Sequence, residues 1–252
     1  MKKLIILSFA LFVGVMLYGQ RNTNGEYWNT WQYKAKAGME QEFMDAAAKK
    51  TAMFNKTPET AISTYRIATG PDSGMFVRVE SGKSAESYDM DRSAEGKYWR
   101  DNVIQFVSEN EGQVRWRRLS GGSYIADPDR TTPAKYVLRT TYNVKADKIM
   151  HFRRFMERIA KVAEERKHKE SRFFFRLESG GNRNQFVMAT TFDTYKRDVV
   201  VRDKTFQEIY LELFGYGTFE EDSLNFDAAL EGWGEFRETL VLIPEMTTGL
   251  IE

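Results

Sequence analysis

Six arginines lie in short segments whose apolar residues recur at every second position, the period of a β-strand. They are Arg66, Arg78, Arg115, Arg139, Arg176 and Arg237. If Tyr65 and Ile67 pack against helices, Arg66 points to the opposite face of its sheet, and the same parity places the other five beside it. A guanidinium group binds a carboxylate or phosphate through two parallel hydrogen bonds. The spacing therefore predicts a cavity for a small anion, to which up to six arginines contribute.

A second interpretation of these arginines needs no ligand. Buried guanidinium groups require partners, and Glu80 and Glu178 have the parity to supply countercharge. The segments would then form an internal layer of salt bridges, or a solvated sheet edge. The chain also has 5 Trp, 12 Tyr and 18 Phe residues. At strand and helix spacing such residues are typical of a core as well as of a ligand cage.

No residue cluster predicts a metal site or a catalytic group. The chain has no cysteine and two histidines, without His-x-His or His-Glu-x-x-His spacing, which excludes disulfides, thiolate sites and cysteine nucleophiles. His151 lies at the flank of an apolar helix stripe and His168 in a charged run, so both are interpreted as surface residues. A single axial histidine suffices for haem, and His151 is therefore the alternative haem ligand. No other cofactor and no catalytic residue is predicted.

Composition and charge narrow the class of protein. The chain has 252 residues, 42% of them hydrophobic, which is enough to build a packed core. Its 37 Lys and Arg nearly balance its 36 Asp and Glu, which excludes a strongly basic nucleic-acid-binding protein. The predicted partner is therefore a small molecule and not a nucleic acid, and the oligomeric state is left open.

The first twenty residues are predicted to be a secretory signal peptide. Two lysines precede an apolar run from Leu4 to Tyr18, and polar residues follow from Arg21. The run of about 15 residues is shorter than the roughly 20 that span a bilayer, which favours a cleaved leader over a permanent anchor. An uncleaved anchor is the alternative, because Leu17 or Tyr18 stands where a cleavage site has a small residue. No later stretch could span a membrane, so the mature chain is predicted to be periplasmic or extracellular.

The rest of the chain contains a tandem repeat, in which two blocks of residues recur in the same order about 110 residues further along. The first block, Tyr33, Lys36, Ala37 and Phe43, recurs as Tyr142, Lys145, Ala146 and Phe152, and the second, Tyr65-Arg66-Ile67 with Phe76-Val77, recurs as Phe175-Arg176-Leu177 with Phe186-Val187. A stretch rich in Gly, Ser and Pro separates the copies. We therefore predict a leader at 1–20, repeat 1 at 21–119, a linker at 120–135 and repeat 2 at 136–252.

Each copy shows the pattern strand, helix, strand, strand, helix, strand. Alternating apolar residues from Tyr136 to Val144 predict an opening strand, and helical spacing from Ile149 to Ala163 predicts the strongest helix. Glycine-containing turns join the two central strands. This order is that of a ferredoxin-like α+β unit, whose sheet carries helices on one face and needs cover on the other. The extra residues of repeat 2 are predicted around 215–230.

The element order and the repeat resemble the dimeric α+β barrel superfamily, which includes antibiotic-biosynthesis-type monooxygenases, NIPSNAP-like proteins and the haem-binding chlorite dismutase group. The resemblance implies antiparallel sheets packed face to face as an intramolecular α+β barrel, with a ligand in the space between the sheets. We therefore predict a secreted or periplasmic protein that binds a small anionic or aromatic ligand there. The alternatives are a cofactor-independent monooxygenase, a haem-binding tandem barrel and a structural protein that binds a partner.

Overall fold

Strands and helices follow one another in an order that occurs twice along the chain. The computed structural model describes residues 25–197 and 203–249, so the predicted leader lies outside the described residues. Repeat 1 contains β1 (Tyr27–Ala35), α1 (Glu40–Phe54), β2 (Ser63–Ile67), β3 (Phe76–Lys83), α2 (Ser93–Asn102) and β4 (Val107–Arg118). Repeat 2 contains β5 (Tyr136–Val144), α3 (Ile149–Glu165), β6 (Arg172–Ser179), β7 (Gln185–Phe192), α4 (Phe206–Phe214), α5 (Thr218–Ala229) and β8 (Leu230–Leu242).

The strands form one closed antiparallel barrel in the order β1-β3-β2-β8-β5-β7-β6-β4. Each repeat contributes a ferredoxin-like sheet of four neighbouring strands, and two seams between the repeats close the barrel. At the first seam β2 pairs with β8, so that Ile67 lies opposite Leu240. At the second seam β4 pairs with β6, so that Trp116 lies opposite Leu177. The predicted intramolecular α+β barrel of two ferredoxin-like units is thus confirmed.

The helices cover the outside of the barrel, and each repeat has an apolar core beneath them. The buried aromatic residues that recur in the sequence occupy equivalent places in these cores: Tyr33, Phe43 and Phe76 in repeat 1, and Tyr142, Phe152 and Phe186 in repeat 2. The ring centroids of Phe43 and Phe76 are 5.0 Å apart at an interplanar angle of 51°, and those of Phe152 and Phe186 have the same distance and angle. The recurrence in the sequence therefore reflects one packing arrangement used twice.

Helix α3 has the clearest apolar stripe of the structure. Its buried residues cluster on the face that packs against the sheet: Phe152, Phe155, Met156, Ala160, Val162 and Ala163. On the other side, the Arg153 guanidinium and the Glu157 carboxylate pair at 2.9 Å, the i,i+4 spacing at which helix side chains meet. The predicted helix is confirmed, and its packing fixes the position of the repeat 2 sheet.

Helices α2 and α5 occupy equivalent places in the two repeats. Trp99 of α2 packs on Phe43 with ring centroids 6.4 Å apart, and Phe226 of α5 packs on Phe152 at 5.4 Å. The helix peculiar to repeat 2 is therefore α4, which begins with a capping box between Thr205 and Glu208. The prediction that the extra residues lie around 215–230 was wrong, because α5 in that stretch is the counterpart of α2.

The segment between the repeats lies along one end of the barrel. Tyr124 forms an isolated β-bridge with Arg172 at the start of β6. Further along, the Arg130 guanidinium donates to both oxygens of the Asp193 carboxylate at 2.7 and 2.9 Å. These contacts hold the segment against repeat 2, beside the strand ends that surround the barrel opening. Within residues 25–197 and 203–249, no helix is long and apolar enough to cross a membrane.

Candidate functional site

The interior of the barrel contains a cavity of about 440 Å³, large enough for a small organic molecule. Side chains from all eight strands line it, because inward-facing residues alternate with outward-facing ones along every strand. Its aromatic wall consists of Trp28, Tyr65, Trp116, Phe173 and Phe175, and its aliphatic wall of Val77, Val79, Val137, Val187, Ala189 and Leu240. The barrel cavity is therefore mainly apolar.

Three rings form one side of this cavity. Trp28 packs on Phe173 with centroids 5.2 Å apart and on Phe175 at 4.8 Å, both in tilted geometry. The indole N–H of Trp116 donates to the Thr30 hydroxyl at 3.0 Å, which fixes a second indole in the wall. Tilted and offset arrangements of this kind leave ring faces and edges available to a further aromatic ring.

Tyr65 brings a phenol group to the apolar wall. The residue is buried, and burial raises the pKa of its hydroxyl well above the usual range. The nearby positive charge of Arg130 opposes this effect and is outweighed by it. Within the described residues the hydroxyl makes no hydrogen bond. Since Tyr65 lines the cavity, its hydroxyl can donate or accept one hydrogen bond with a ligand there.

One end of the cavity adjoins a polar network centred on Arg139. Its Nε donates to Glu238 Oε2 at 2.8 Å, and its Nη2 donates to Gln32 Oε1 at 3.2 Å. The Gln32 amide in turn donates to Asp72 at 3.1 Å and to Glu111 at 3.3 Å. Arg139 is the member of this network that lines the cavity.

Carboxylates outnumber guanidinium groups at this end of the barrel. Glu238 is 1% exposed and neutralises Arg139 directly, while Asp72 and Glu111 add two further negative charges. Burial, followed by the negative charge of Asp72, raises the pKa of the Glu111 carboxyl. The region around Arg139 therefore carries no surplus positive charge to attract an anion.

The opening of the barrel cavity is lined by the segment between the repeats. Residues Asp127, Arg130 and Ala134 contribute to it, together with Ser171 and Thr191 at the ends of β6 and β7. Arg130 is already paired with a carboxylate, as described above. Both ends of the cavity therefore have their cations compensated.

Five of the six arginines predicted to face the space between the sheets lie on the opposite, helix-covered face: Arg66, Arg78, Arg115, Arg176 and Arg237. The sixth, Arg139, is the one placed as predicted. The predicted assignment of strand residues to the two sheet faces was wrong, because it placed Tyr65 and Ile67 against the helices. Both residues point into the barrel. The predicted convergence of six arginines in one cavity is therefore overturned.

Arg66 and Arg78 lie beneath or beside the helices of repeat 1. Arg66 pairs with Glu40 at the start of α1 at 2.7 Å. Arg78 is 2% exposed and donates to the hydroxyls of Thr51 and Thr64. Arg66 thus belongs to a partly solvated ion pair. Arg78 forms no ion pair with a carboxylate in the described part of the chain.

The other three arginines are separated from one another on the outer surface of the sheet. The Arg115 guanidinium lies over the Tyr88 ring, 3.2 Å from its centroid. Arg176 donates to the backbone carbonyl of Arg183 at 3.0 Å, and Arg237 pairs with a neighbouring glutamate while largely exposed. Cation–π and surface pairs of this kind hold side chains in place and do not define a common site.

His151 does not fit the role of a haem ligand. It lies half-buried on α3 and does not line the barrel cavity. The adjoining space between α3 and the sheet is filled by Phe152, Phe174 and Phe186, whose ring centroids are 5.0 to 6.0 Å apart. A porphyrin bound at His151 would have to displace this packed core. The residues around His151 therefore do not fit haem.

The aromatic residues of the barrel cavity were not singled out in the sequence, where such residues are typical of a core as well as of a ligand cage. Trp28, Tyr65 and Trp116 line the cavity. A usable signal is the set of small polar residues at the same parity, Thr30 and Ser63, whose short side chains leave room inside the barrel.

No protein-family model matches the sequence, and no curated protein is significantly similar to it. Several solved structures are similar in fold. A proposed monooxygenase from Lactobacillus acidophilus has a TM-score of 0.56 at 9% identity, covering 86% of this chain and 94% of its own. A proposed monooxygenase from Fusobacterium nucleatum has a TM-score of 0.55 at 12% identity, covering 86% and 92%. A proposed chlorite dismutase has a TM-score of 0.52 at 10% identity, covering 88% and 96%.

These likenesses define the class of fold. The structural neighbours are dimeric α+β barrel proteins, and the chain has that fold with both units on one polypeptide. At such low identities the likeness speaks for the fold alone. The function has to be argued from the cavities of this chain.

Proposed function

We propose that the protein binds a small, uncharged aromatic molecule in the barrel cavity. The observation that carries this proposal is the aromatic wall of Trp28, Phe173 and Phe175 around a mainly apolar cavity. The hydroxyl of Tyr65 supplies one polar contact, and Arg139 is neutralised by Glu238. Of the two ligand types predicted from the sequence, this cavity favours the aromatic one over the anionic one.

The test compares 2-naphthol with 2-naphthoate by isothermal titration calorimetry. We expect the binding that the barrel cavity provides, which is the part lost in Ala189→Phe, to be tighter for the neutral phenol than for the carboxylate, since the charged ligand loses its hydration beside Glu238. Ala189→Phe places a ring in the cavity and is expected to weaken 2-naphthol binding at least about tenfold, by loss of the space itself. Ala52→Phe, on the exposed face of α1, is the matched control. Equal binding by both variants would contradict the proposal.

Oxidation of an electron-rich phenol by molecular oxygen is the second candidate function. It is favoured by the fold shared with two proposed monooxygenases and by a mainly apolar cavity that Tyr65 lines. Oxygen uptake with phenols and quinols tests it. Turnover that is lost in Tyr65→Phe would support this candidate. Ligand binding without oxygen uptake would contradict oxidation and leave ligand binding as the only proposed function.

We further propose that residues 1–20 direct export and are removed, so that the protein acts in the periplasm or outside the cell. The charged and apolar composition of that leader supports the proposal. The mass of the protein recovered from its native cell envelope tests it. A chain that begins near Arg21 is expected, and a cytoplasmic chain with its leader intact would contradict it.

A further inference from the structure

Repeat 1 contains a second cavity, of about 420 Å³, between its helices and the outer face of its sheet. We call it the helix-side pocket. Its walls include the aromatic residues Trp31, Tyr33 and Trp99 and the charged residues Lys50, Arg78, Glu80, Arg92, Glu95 and Arg100. The strand residues that line it point to the opposite face of the sheet from those of the barrel cavity, and the two cavities adjoin at Ile62, just before β2.

Arg78 is the unusual residue of this pocket. Although it is 2% exposed, it forms no ion pair with any carboxylate within residues 25–197 and 203–249. The two hydroxyls that it contacts already donate elsewhere: Thr51 to Ala47 O at 2.9 Å and Thr64 to Met246 O at 2.9 Å. They accept hydrogen bonds from the guanidinium and supply no negative charge.

The nearby carboxylates are used by other cations. Glu95 accepts from Arg92 Nε at 2.6 Å and also pairs with the Lys50 ammonium group. Glu80 pairs with Arg92 at 2.6 Å. The cluster therefore places three cations, Lys50, Arg78 and Arg92, against two carboxylates. Glu95 and Glu80 attract Arg78 only from beyond ion-pair distance. Burial of a cation that has no direct carboxylate partner is costly, so an anion bound at Arg78 would offset that cost.

Repeat 2 shows whether the fold itself needs Arg78, because its helices and sheet pack in the same way without a charged residue at the equivalent position. Thr51 and Arg78 correspond to Ala160 and Met188, which lie 109 and 110 residues further along. Met188 belongs to the apolar core of repeat 2 and is 3% exposed. The ferredoxin-like unit is thus complete with an apolar residue at this position, and Arg78 is not required by the fold.

We propose that the helix-side pocket binds a small aromatic carboxylate, with the carboxylate at Arg78 and the ring among Trp31, Tyr33 and Trp99. A guanidinium recognises a planar carboxylate through two parallel hydrogen bonds, and the anion restores the charge balance. The Arg78 guanidinium already lies 5.2 Å from the Trp99 ring centroid, so the charged and aromatic elements adjoin. The pocket volume accommodates one ring with its carboxylate.

The test is calorimetric titration of the full chain with 4-hydroxybenzoate. Arg78→Met keeps the length of the side chain and removes its charge, and it is expected to weaken binding about tenfold to a hundredfold, the range for a lost charged hydrogen bond. Arg66→Met is the matched control, since Arg66 lies on the same sheet face and has its own partner in Glu40. Unchanged affinity in Arg78→Met, or no binding by the unmodified protein, would overturn the proposal.

Two further measurements locate and classify the ligand. Ala189→Phe fills the barrel cavity and is expected to leave 4-hydroxybenzoate binding intact; loss of binding would place the carboxylate in the barrel and refute the proposal without affecting the barrel function. Binding of inorganic phosphate in preference to 4-hydroxybenzoate would overturn the aromatic carboxylate assignment. If Arg78→Met does not fold, Arg78→Lys keeps the charge without the planar fork and is expected to weaken binding about fivefold.

Discussion

Arg78 and Arg139 are buried on opposite faces of one barrel and differ in the charge around them. Arg139 has a carboxylate partner that is 1% exposed, whereas Arg78 contacts two hydroxyls and an indole ring. An Arg–carboxylate pair away from water is self-contained, since each group neutralises the other. A lone guanidinium keeps its capacity for an external anion. Arg139 therefore stabilises the barrel through its ion pair, whereas Arg78 is available to bind an anion.

Breaking the Arg139–Glu238 pair is expected to destabilise the protein strongly. Arg139→Met leaves the buried Glu238 carboxylate without its counterion, at a cost of about 3–5 kcal/mol in the free energy of unfolding. Adding Glu238→Gln removes the orphaned charge and is expected to recover much of that loss. Urea unfolding of the single and double variants measures both values. A single variant as stable as the unmodified protein would contradict the pairing.

Glu95 makes the stability of repeat 1 sensitive to acid. Burial favours its neutral form, but hydrogen bonds and charges from Arg92 and Lys50 outweigh this and lower its pKa to about 2. The unfolded chain binds a proton near the ordinary value of 4.5, so between these pH values it holds more protons than the folded chain. Stability should therefore fall as the pH drops through this window, by about 3 kcal/mol from this group.

Glu95→Gln is the variant that tests this dependence. We expect it to unfold more easily than the unmodified protein at pH 7 and to show a flatter loss of stability between pH 4.5 and pH 2. Glu109→Gln is the control, because Glu109 pairs with Lys34 on the exposed surface, where ion pairs contribute little. Parallel acid-unfolding curves for Glu95→Gln and the unmodified protein would refute the role of this carboxylate.

The face to which each strand residue points could not be predicted at the residue scale. In a sheet with water on one side, polar and apolar residues alternate and identify the buried face. Here both faces are covered, since Tyr65 and Ile67 are buried inside the barrel while Phe76 is buried beneath the helices. The alternation around Arg66 is consistent with either assignment. Its partner Glu40 lies far away in the sequence, and its position depends on the completed fold.

The seams between the repeats are the elements on which closure depends. The β4–β6 seam includes a turn in which Gly180 has φ +94° and passes close to β4. A Cβ there would lie 2.7 Å from the Gln113 carbonyl oxygen, a distance that real Cβ atoms do not adopt. This glycine therefore allows the turn of repeat 2 to approach the last strand of repeat 1.

Gly180→Ala is expected to destabilise the barrel more than Gly74→Ala. Both glycines have similar positive φ values, 94° and 92°, so an alanine is strained equally at each. Gly74 has open space around the added methyl group, whereas Gly180 meets β4 backbone. Thermal unfolding of both variants separates the two effects, and the excess loss at Gly180 is expected to exceed about 1 kcal/mol. Equal losses would show that the close approach does not matter.

Element order was the part of the fold best predicted from the sequence. The recurrence of Phe43 as Phe152 and of Phe76 as Phe186 marks residues that pack together, so it survives where the surrounding residues have changed. The place of α4 was not predictable in the same way, because an added helix has no counterpart with which to align. The sequence shows only that repeat 2 is longer, and the helix without a counterpart, Phe206–Phe214, lies before Gly215.

At the scale of the whole molecule, the barrel is two ferredoxin-like units that cover each other's inner faces. Phe175 and Val187 of repeat 2 line the cavity together with Val77 and Tyr65 of repeat 1. The outer strands of each unit, β2 and β4 or β6 and β8, pair across the seams. A single unit would expose an apolar sheet face and two unpaired strand edges, which are features that drive association.

Repeat 2 alone, residues 136–252, is therefore expected to pair with a second copy of itself and not to remain a monomer. The two copies would place their apolar inner faces together and join β6 of one to β8 of the other, as the seams β4–β6 and β2–β8 do in the intact chain. Light scattering coupled to size-exclusion chromatography measures the mass, and far-ultraviolet circular dichroism checks that the fragment is folded. A folded monomer would show that repeat 2 is stable without cover on its inner face. Closure of the barrel would then be needed to form the cavity and not for folding.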